Sequence, residues 1–244
     1  NINTNNNLYF SYARANREPN RDDFENNADV KPEQLNDFEL GWRHTSNLFS
    51  LNTNLYYMLY NEQLVLTGAI NNSGNPIRDN SGKSYRLGLE VDAVFNISKA
   101  FSVQPNMALS MNKNKETFAS IDGRIVDLGE TNISFSPNIV AGNAFVFKPI
   151  NGLQMSLLSK FVGEQYMGNT DSEASKLDSY FVNDFNVMYE IETTSIFKSI
   201  IISGLVNNIF SEKYSSNGFY YTYDDTWTDP NQITTIEGTG YYPQ

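Results

Sequence analysis

Along much of the chain, apolar and polar residues alternate with a period of two. Between Phe101 and Asn112 the odd positions carry Phe101, Val103, Met107, Leu109 and Met111, while Ser102, Gln104, Asn106 and Ser110 take the even ones. Tyr85 to Ile97 follows the same rule, with Leu87, Leu89, Val91 and Phe95 set against Arg86, Glu90, Asp92 and Asn96. Phe38, Leu40 and Trp42 oppose Asp37, Glu39, Gly41 and Arg43, and from Phe49 to Tyr60 the odd positions are again mainly apolar. Successive side chains of an extended backbone point to opposite faces, so each run predicts a strand with one apolar and one polar face. Nine such strands are predicted, near residues 7–15, 34–45, 49–64, 83–98, 100–113, 133–148, 152–166, 177–192 and 199–211. In the last, Ile200, Ile201 and Ile202 follow one another and leave the faces unassigned.

The connections fall into two kinds that alternate strictly. Short ones lie near Thr45-Ser46-Asn47-Leu48, Ser98-Lys99, Pro149-Ile150-Asn151-Gly152 and Glu192 to Lys198; long ones lie near 16–33, 65–82, 114–132, 167–176 and 212–244. In an up-and-down meander this puts every short turn at one end and every long loop at the other, the pattern of an outer-membrane barrel. Alternation alone leaves open a soluble sandwich or lipocalin-like barrel with the apolar face inward. Three features favour the opposite orientation. The polar face is built from Asn, Ser, Gln and Gly with few charges, and the strands are long enough to cross a bilayer at a tilt. Trp42, Phe49, Phe95, Phe101 and Phe147 gather on the apolar face at the short-turn end, where an interfacial girdle would sit. The expected fold class is all-β: an antiparallel up-and-down transmembrane β-barrel, incomplete, in one domain without a linker.

Composition narrows the chemistry. Sixteen Phe and 15 Tyr in 244 residues, together with abundant Asn, suit strands and turns rather than helices. There is no Cys, which excludes disulfides, thiolate metal sites and Cys nucleophiles. His44 is the single His, so two-His metal sites are excluded as well. A net charge of −11 speaks against nucleic acid as a partner. No apolar run reaches the length of a transmembrane helix. No signal-peptide pattern opens the sequence, which is expected of a mature or partial chain.

Several stretches resemble the barrel of TonB-dependent outer-membrane receptors, in a Bacteroidota-like form. They are Leu8-Tyr9-Phe10-Ser11-Tyr12-Ala13-Arg14-Ala15-Asn16-Arg17-Glu18-Pro19-Asn20-Arg21, Lys31-Pro32-Glu33 with Phe38-Glu39-Leu40-Gly41, and Asn54-Leu55-Tyr56-Tyr57-Met58. Gln63-Leu64-Val65-Leu66-Thr67-Gly68, Ser84-Tyr85-Arg86-Leu87-Gly88-Leu89-Glu90 and Val206-Asn207-Asn208-Ile209-Phe210-Ser211-Glu212-Lys213-Tyr214 extend the match. The resemblance implies a barrel of about 22 strands with a plugged lumen. The nine strands would be the thirteenth to the twenty-first, and the plug, the coupling box and the final strand would lie outside residues 1–244. It further implies a Gram-negative outer membrane, contact with its lipid, and uptake of a scarce ligand energised by the TonB-ExbB-ExbD complex. The ligand class would be siderophore-iron, haem, cobalamin or a glycan, with a slight leaning to the siderophore or cobalamin type. No enzymatic activity and no cofactor are expected. The alternatives are a passive porin, a soluble secreted β-sheet protein that binds glycans, and an adhesin.

Candidate residues form three groups. Asp37, Glu39, Arg43, Arg86, Glu90 and Asp92 share the polar face, where a charge network would contact a plug and fix its orientation. Paired carboxylates could also divide acid and base roles, but basic residues on the same faces favour the structural role. Arg17 and Arg21, with Arg14, cluster at the first long loop, where they could grip an anion or pair with neighbouring carboxylates. The tail carries Tyr220, Tyr223, Asp224, Asp225 and Trp227, aromatics beside carboxylates that could stack on a flat or sugar-like ligand or attract a cation. The spacing of Asp224, Asp225 and Asp229 matches no EF-hand loop, so no metal is expected. His44, beside Trp42 at the short-turn end, is expected to be structural.

Overall fold

The computed structural model describes residues 1–70, 76–80, 82–194, 196–229 and 231–244. In chain order, β1 (Asn6–Arg17) leads through α1 (Arg21–Asn26) to β2 (Glu33–Thr45) and β3 (Phe49–Asn61). A hairpin of β4 (Leu64–Ile70) and β5 (Pro76–Asn80) precedes β6 (Lys83–Asn96), β7 (Phe101–Ile121) and β8 (Arg124–Asn132). Next come β9 (Ile139–Phe147), β10 (Leu153–Val162), and the short β11 (Gln165–Tyr166) and β12 (Lys176–Leu177) flanking a 3-10 turn at Glu173–Ser175. The chain continues through β13 (Tyr180–Glu192) and β14 (Ser199–Val206) to a hairpin of β15 (Ser215–Asp225) and β16 (Thr234–Pro243).

One antiparallel sheet runs in the order β1-β2-β3-β6-β7-β9-β10-β13-β14, with β8 attached to the outer half of β7. Its nine strands are the nine read from the alternation. Register explains how the two faces stay separate. Phe10, Leu40, Leu55, Leu89, Leu109 and Ile139 form one unbroken cross-strand row, and Leu8, Trp42, Thr53, Val91, Met107 and Ala141 form the next. A slip of one residue at any strand would put that strand's apolar set on the polar side. The apolar rows face outward: Phe10 is 70% exposed and Leu55 47%. The sheet is thus inside out relative to a soluble sandwich, its apolar face bare and its polar face lining a concavity that includes Asn52, Asp92, Asn106 and Lys160. The Ile triplet is resolved by pairing. Ile200 and Ile202 lie opposite Ile191 and Tyr189 on the outward face, and Ile201 lies opposite Glu190.

At the short-turn end the expected aromatics meet. Phe49 pairs with Phe95 and Phe101 with Phe147, and His44 stacks on Phe49 at 4.6 Å while its Nδ1 lies 3.0 Å from Asn6 Oδ1.

Several predicted boundaries need correction. The strand expected at 133–148 starts only at Ile139, because Phe135 takes a φ of 50° and Ser134 N–H turns to Asn169 Oδ1 at 2.9 Å. The strand expected at 199–211 ends at Val206, because Asn208 has a φ of 49°, donates its N–H to Asp184 Oδ1 at 2.7 Å and braces Glu212 with its side chain. Those expected at 152–166 and 177–192 are trimmed to Val162 and Tyr180 by the small β11–β12 ladder. The strand expected to run to residue 64 stops at Asn61, and Glu62 turns with a φ of 53°. Nor are the long connections irregular: they hold α1 and the β4–β5, β7–β8 and β15–β16 ladders. Residues 71–75 and 81 of the 65–82 connection, 195 of the last short turn and 230 of the tail lie outside the described residues.

These faces predict an asymmetry. Leu89→Arg, on the outward face, should destabilise the folded protein by about 2–4 kcal/mol if it lies near the bilayer midplane. Asn106→Arg, on the polar face, should change it far less. Urea unfolding in liposomes measures both, and equal losses would contradict the orientation.

Candidate ligand-binding rim and lumenal wall

On the polar wall, register puts the six charged candidates on one side of the sheet. Asp37, Met58, Arg86 and Asn112 form one row, and Arg43, Asn52, Asp92 and Asn106 another. Within each row the opposite charges are therefore separated by the intervening β3, and among the described residues no ion pair joins any two of the six. The expected network is instead a set of separately held charges. The Arg43 guanidinium lies over the Tyr9 ring at 5.0 Å. That of Arg86 lies over Tyr60 at 5.1 Å and donates to the Tyr60 hydroxyl at 3.2 Å. Glu39 accepts from Ser11 at 3.0 Å and from Asn54 at 3.4 Å.

At the long-loop end, Arg17 closes β1 and Arg21 opens α1, where it pairs with Glu25 at 2.8 Å across one helical turn. This pair is exposed, 89% and 58%, and contributes little. Asn20 caps α1 by accepting from Asp23 N–H, while Asp23 returns the bond to Asn20 N–H, both at 2.9 Å. No hydrogen bond or ion pair among the described residues links Arg17 or Arg21 to the terminal hairpin.

That hairpin splits the tail candidates between its two faces. Tyr220 and Asp224 share one face and Tyr223 and Asp225 the other, because β15 is extended through all four. The Tyr220–Asp224 face is docked. The Tyr220 hydroxyl donates to Glu237 Oε1 at 2.6 Å and its ring covers Gly168, so burial pushes the phenol up from its ordinary value, the Glu237 carboxylate adding to the effect. Asp224 accepts from Ser120 Oγ at 2.7 Å and from Thr235 Oγ1 at 2.6 Å. Asp122 accepts from Thr235 N–H at 2.9 Å and donates its own N–H to Thr235 Oγ1 at 2.7 Å. The hydroxyl donors Thr235 and Ser120 hold the Asp224 carboxyl below its ordinary range. The hairpin thereby leaves β14 and lands on the β7–β8 tip.

The opposite face is an aromatic run. Phe219, Tyr221 and Tyr223 follow one another at 6.3 Å per step, and Trp227 closes the run 5.7 Å from Tyr223 at an interplanar angle of 6°. Phe219 and Tyr221 reach across the ladder over Gly240 and Gly238, where any Cβ would collide with the rings. Asp225 makes the closing turn: its Oδ1 accepts from Trp227 N–H at 3.0 Å and Thr228 N–H at 3.1 Å, swinging the indole back onto Tyr223. These bonds, with one from the Thr228 hydroxyl first among them, hold the Asp225 carboxyl below its ordinary range as well. Ser120, Asp122 and Thr235 carry no signal in the sequence, whereas Phe219 and Tyr221 belong to the aromatic tail and share a period-two spacing with Gly240 and Gly238. Among the described residues no three Asp, Glu or His gather as a metal-ligand set.

The family model described as TonB dependent receptor-like, beta-barrel, matches residues 1–209, and the chain belongs to that family. Its members are outer-membrane receptors of Gram-negative bacteria and not enzymes. No curated protein matches the sequence. Among solved structures, the ferric-catecholate import receptor Fiu of E. coli K12 in its closed form aligns at a TM-score of 0.63 and 15% identity, over 100% of this chain and 33% of its own. The copper transporter OprC aligns at 0.69 and 15%, over 98% and 36%, and the ferric enterobactin receptor PfeA of Pseudomonas aeruginosa at 0.64 and 13%, over 100% and 38%. The chain spans about a third of the length of these structures.

The Asp224 contacts carry a pH dependence. A carboxyl held below its ordinary value adds stability above that value, and the stability is lost as pH falls through the lowered one. Docking of the hairpin should be constant from neutral pH down to the ordinary carboxylate range, then weaken in more acidic solution. Hydrogen exchange at the Gly123 amide, which donates to the Asp224 carboxyl, corrected for intrinsic rates, should show this loss of protection, and Asp224→Asn should flatten it. Protection that stays level in acid would count against the contact.

Proposed function

We propose that residues 1–244 form the C-terminal portion of the barrel wall of an energised importer, with plug, coupling box and closing strand supplied by the remainder of the protein. The observation that carries this reading is the wall itself. Nine strands in one antiparallel path hold apolar rows outward and a polar face inward, with long connections all at one end. In this reading Asp37, Glu39, Arg43, Arg86, Glu90 and Asp92 face the plug. The long connections form the extracellular rim, with Arg17, Arg21 and the terminal hairpin among the ligand contacts. The TonB-ExbB-ExbD complex would supply the energy through the plug, and a scarce small molecule or glycan would be the cargo. The names of similar structures, a ferric-catecholate receptor, a ferric enterobactin receptor and a copper transporter, support a metal chelate or metal ion as the first classes to test.

The test begins with the native protein extracted from outer membranes in detergent. Its intact mass should be several-fold above 27.7 kDa, in line with a chain that spans 33% to 38% of similar structures. Accumulation of a radiolabelled ferric chelate that it imports should then stop in a strain lacking TonB. A mass near 27.7 kDa, or accumulation indifferent to TonB, would leave the passive porin or the soluble β protein in its place.

A further inference from the structure

We propose that the open aromatic face of the β15–β16 hairpin is a first holding platform for the ligand, and that it fits an organic cation with a flat face. The proposal rests on the receptor reading above and narrows its ligand to a cationic class, which a metal chelate meets only when it carries net positive charge.

The platform is built rather than incidental. Phe219, Tyr221, Tyr223 and Trp227 are 48%, 39%, 41% and 69% exposed, although their planes differ by no more than 14° from one ring to the next. Two glycines open the space under the first two rings, and the Asp225 turn brings Trp227 onto the third. The other face of the same hairpin is docked on Ser120 and Asp122, so the aromatic face is held in a fixed position at the long-loop end. A contiguous exposed strip of this kind marks a binding surface.

Charge selects the occupant. Between Ser215 and Gln244 the chain carries Asp224, Asp225, Asp229 and Glu237 and no Lys or Arg. Lys176 and Lys213 stand by Ser215, Tyr241 and Gln244 at the base of the hairpin. At its Trp227 end the hairpin's own charges are all acidic, so an anionic chelate would meet like charge there, and a neutral ring would use the aromatics but gain nothing from the carboxylates. A flat cation uses both. It can lie against the open indole of Trp227, the strongest cation–π partner among side chains, within the field of Asp225 and Asp229.

The experiment uses the whole protein purified in detergent and calorimetric titration near neutral pH with three probes that share the flat quinoline ring: N-methylquinolinium, quinoline and quinoline-2-carboxylate. The cation should bind about tenfold tighter than neutral quinoline, with the anion weaker still. Trp227→Ala and the double variant Asp225→Asn with Asp229→Asn should each weaken cation binding about fivefold or more. The Asn side chains preserve the turns, since Oδ1 still accepts the same backbone bonds, and added salt should weaken the wild type. Equal binding of cation and neutral probe, binding unchanged by both variants, or no binding of the cation would overturn the proposal. Binding of maltoheptaose but not N-methylquinolinium would overturn it in favour of a sugar platform. Because the titration needs no energy source, it can fail while TonB-dependent accumulation stands, and the reverse.

Discussion

Everything in this chain depends on the rule that a peptide group in hydrocarbon must find its hydrogen-bond partner within the protein. Strands can meet that demand only side by side, so the sheet order and register come before any other property. Each of the interior wall strands is paired on both edges. Among the described residues, β1 and β14 have wall partners on one side only, the condition that further strands of the same barrel would relieve. Once register is set, the rest follows from alternation. The outward rows, led by Phe10, Leu40 and Leu55, meet lipid, while Asn52, Asn54 and Asn106 face the polar interior.

The wall was legible because a bilayer enforces a strict binary pattern on every crossing strand. Leu87, Leu89 and Val91 had to be apolar, and the alternating Gly88, Glu90 and Asp92 did not. Above the membrane that enforcement ends. Lys113-Asn114-Lys115-Glu116-Thr117 continues β7 without a break, yet it is polar on both faces and so reads as a loop. The β15–β16 hairpin differs: its aromatic face does alternate, but the other face is held by Ser120 and Asp122, far away in the sequence. The boundaries at Phe135 and Asn208 were illegible for another reason: left-handed residues other than Gly announce themselves poorly in sequence.

The candidate residues divide along the same line. The six wall charges could be placed on one face by counting, but their spacing from each other depended on which strands intervene. For the tail, composition revealed aromatics and carboxylates without revealing that Tyr220 and Tyr223 point opposite ways. Tyr220 serves to attach the hairpin, and Tyr223 belongs to its free surface. The contact between Asp224 and Ser120 joins residues 104 apart, beyond the reach of any local pattern.

That separation also bears on the order of assembly. The bonds joining Asp122 to Thr235 close a span of 113 residues, and between their ends lie β9, β10, β13 and β14. Loop closure on this scale is an entropic burden that no single hydrogen bond can meet early in folding. The intervening strands must first register with one another, and only then do the two tips come within reach. The joint between these two tips therefore forms after the wall strands that lie between them, and a wall that has mispaired at any of those strands would leave the tips apart.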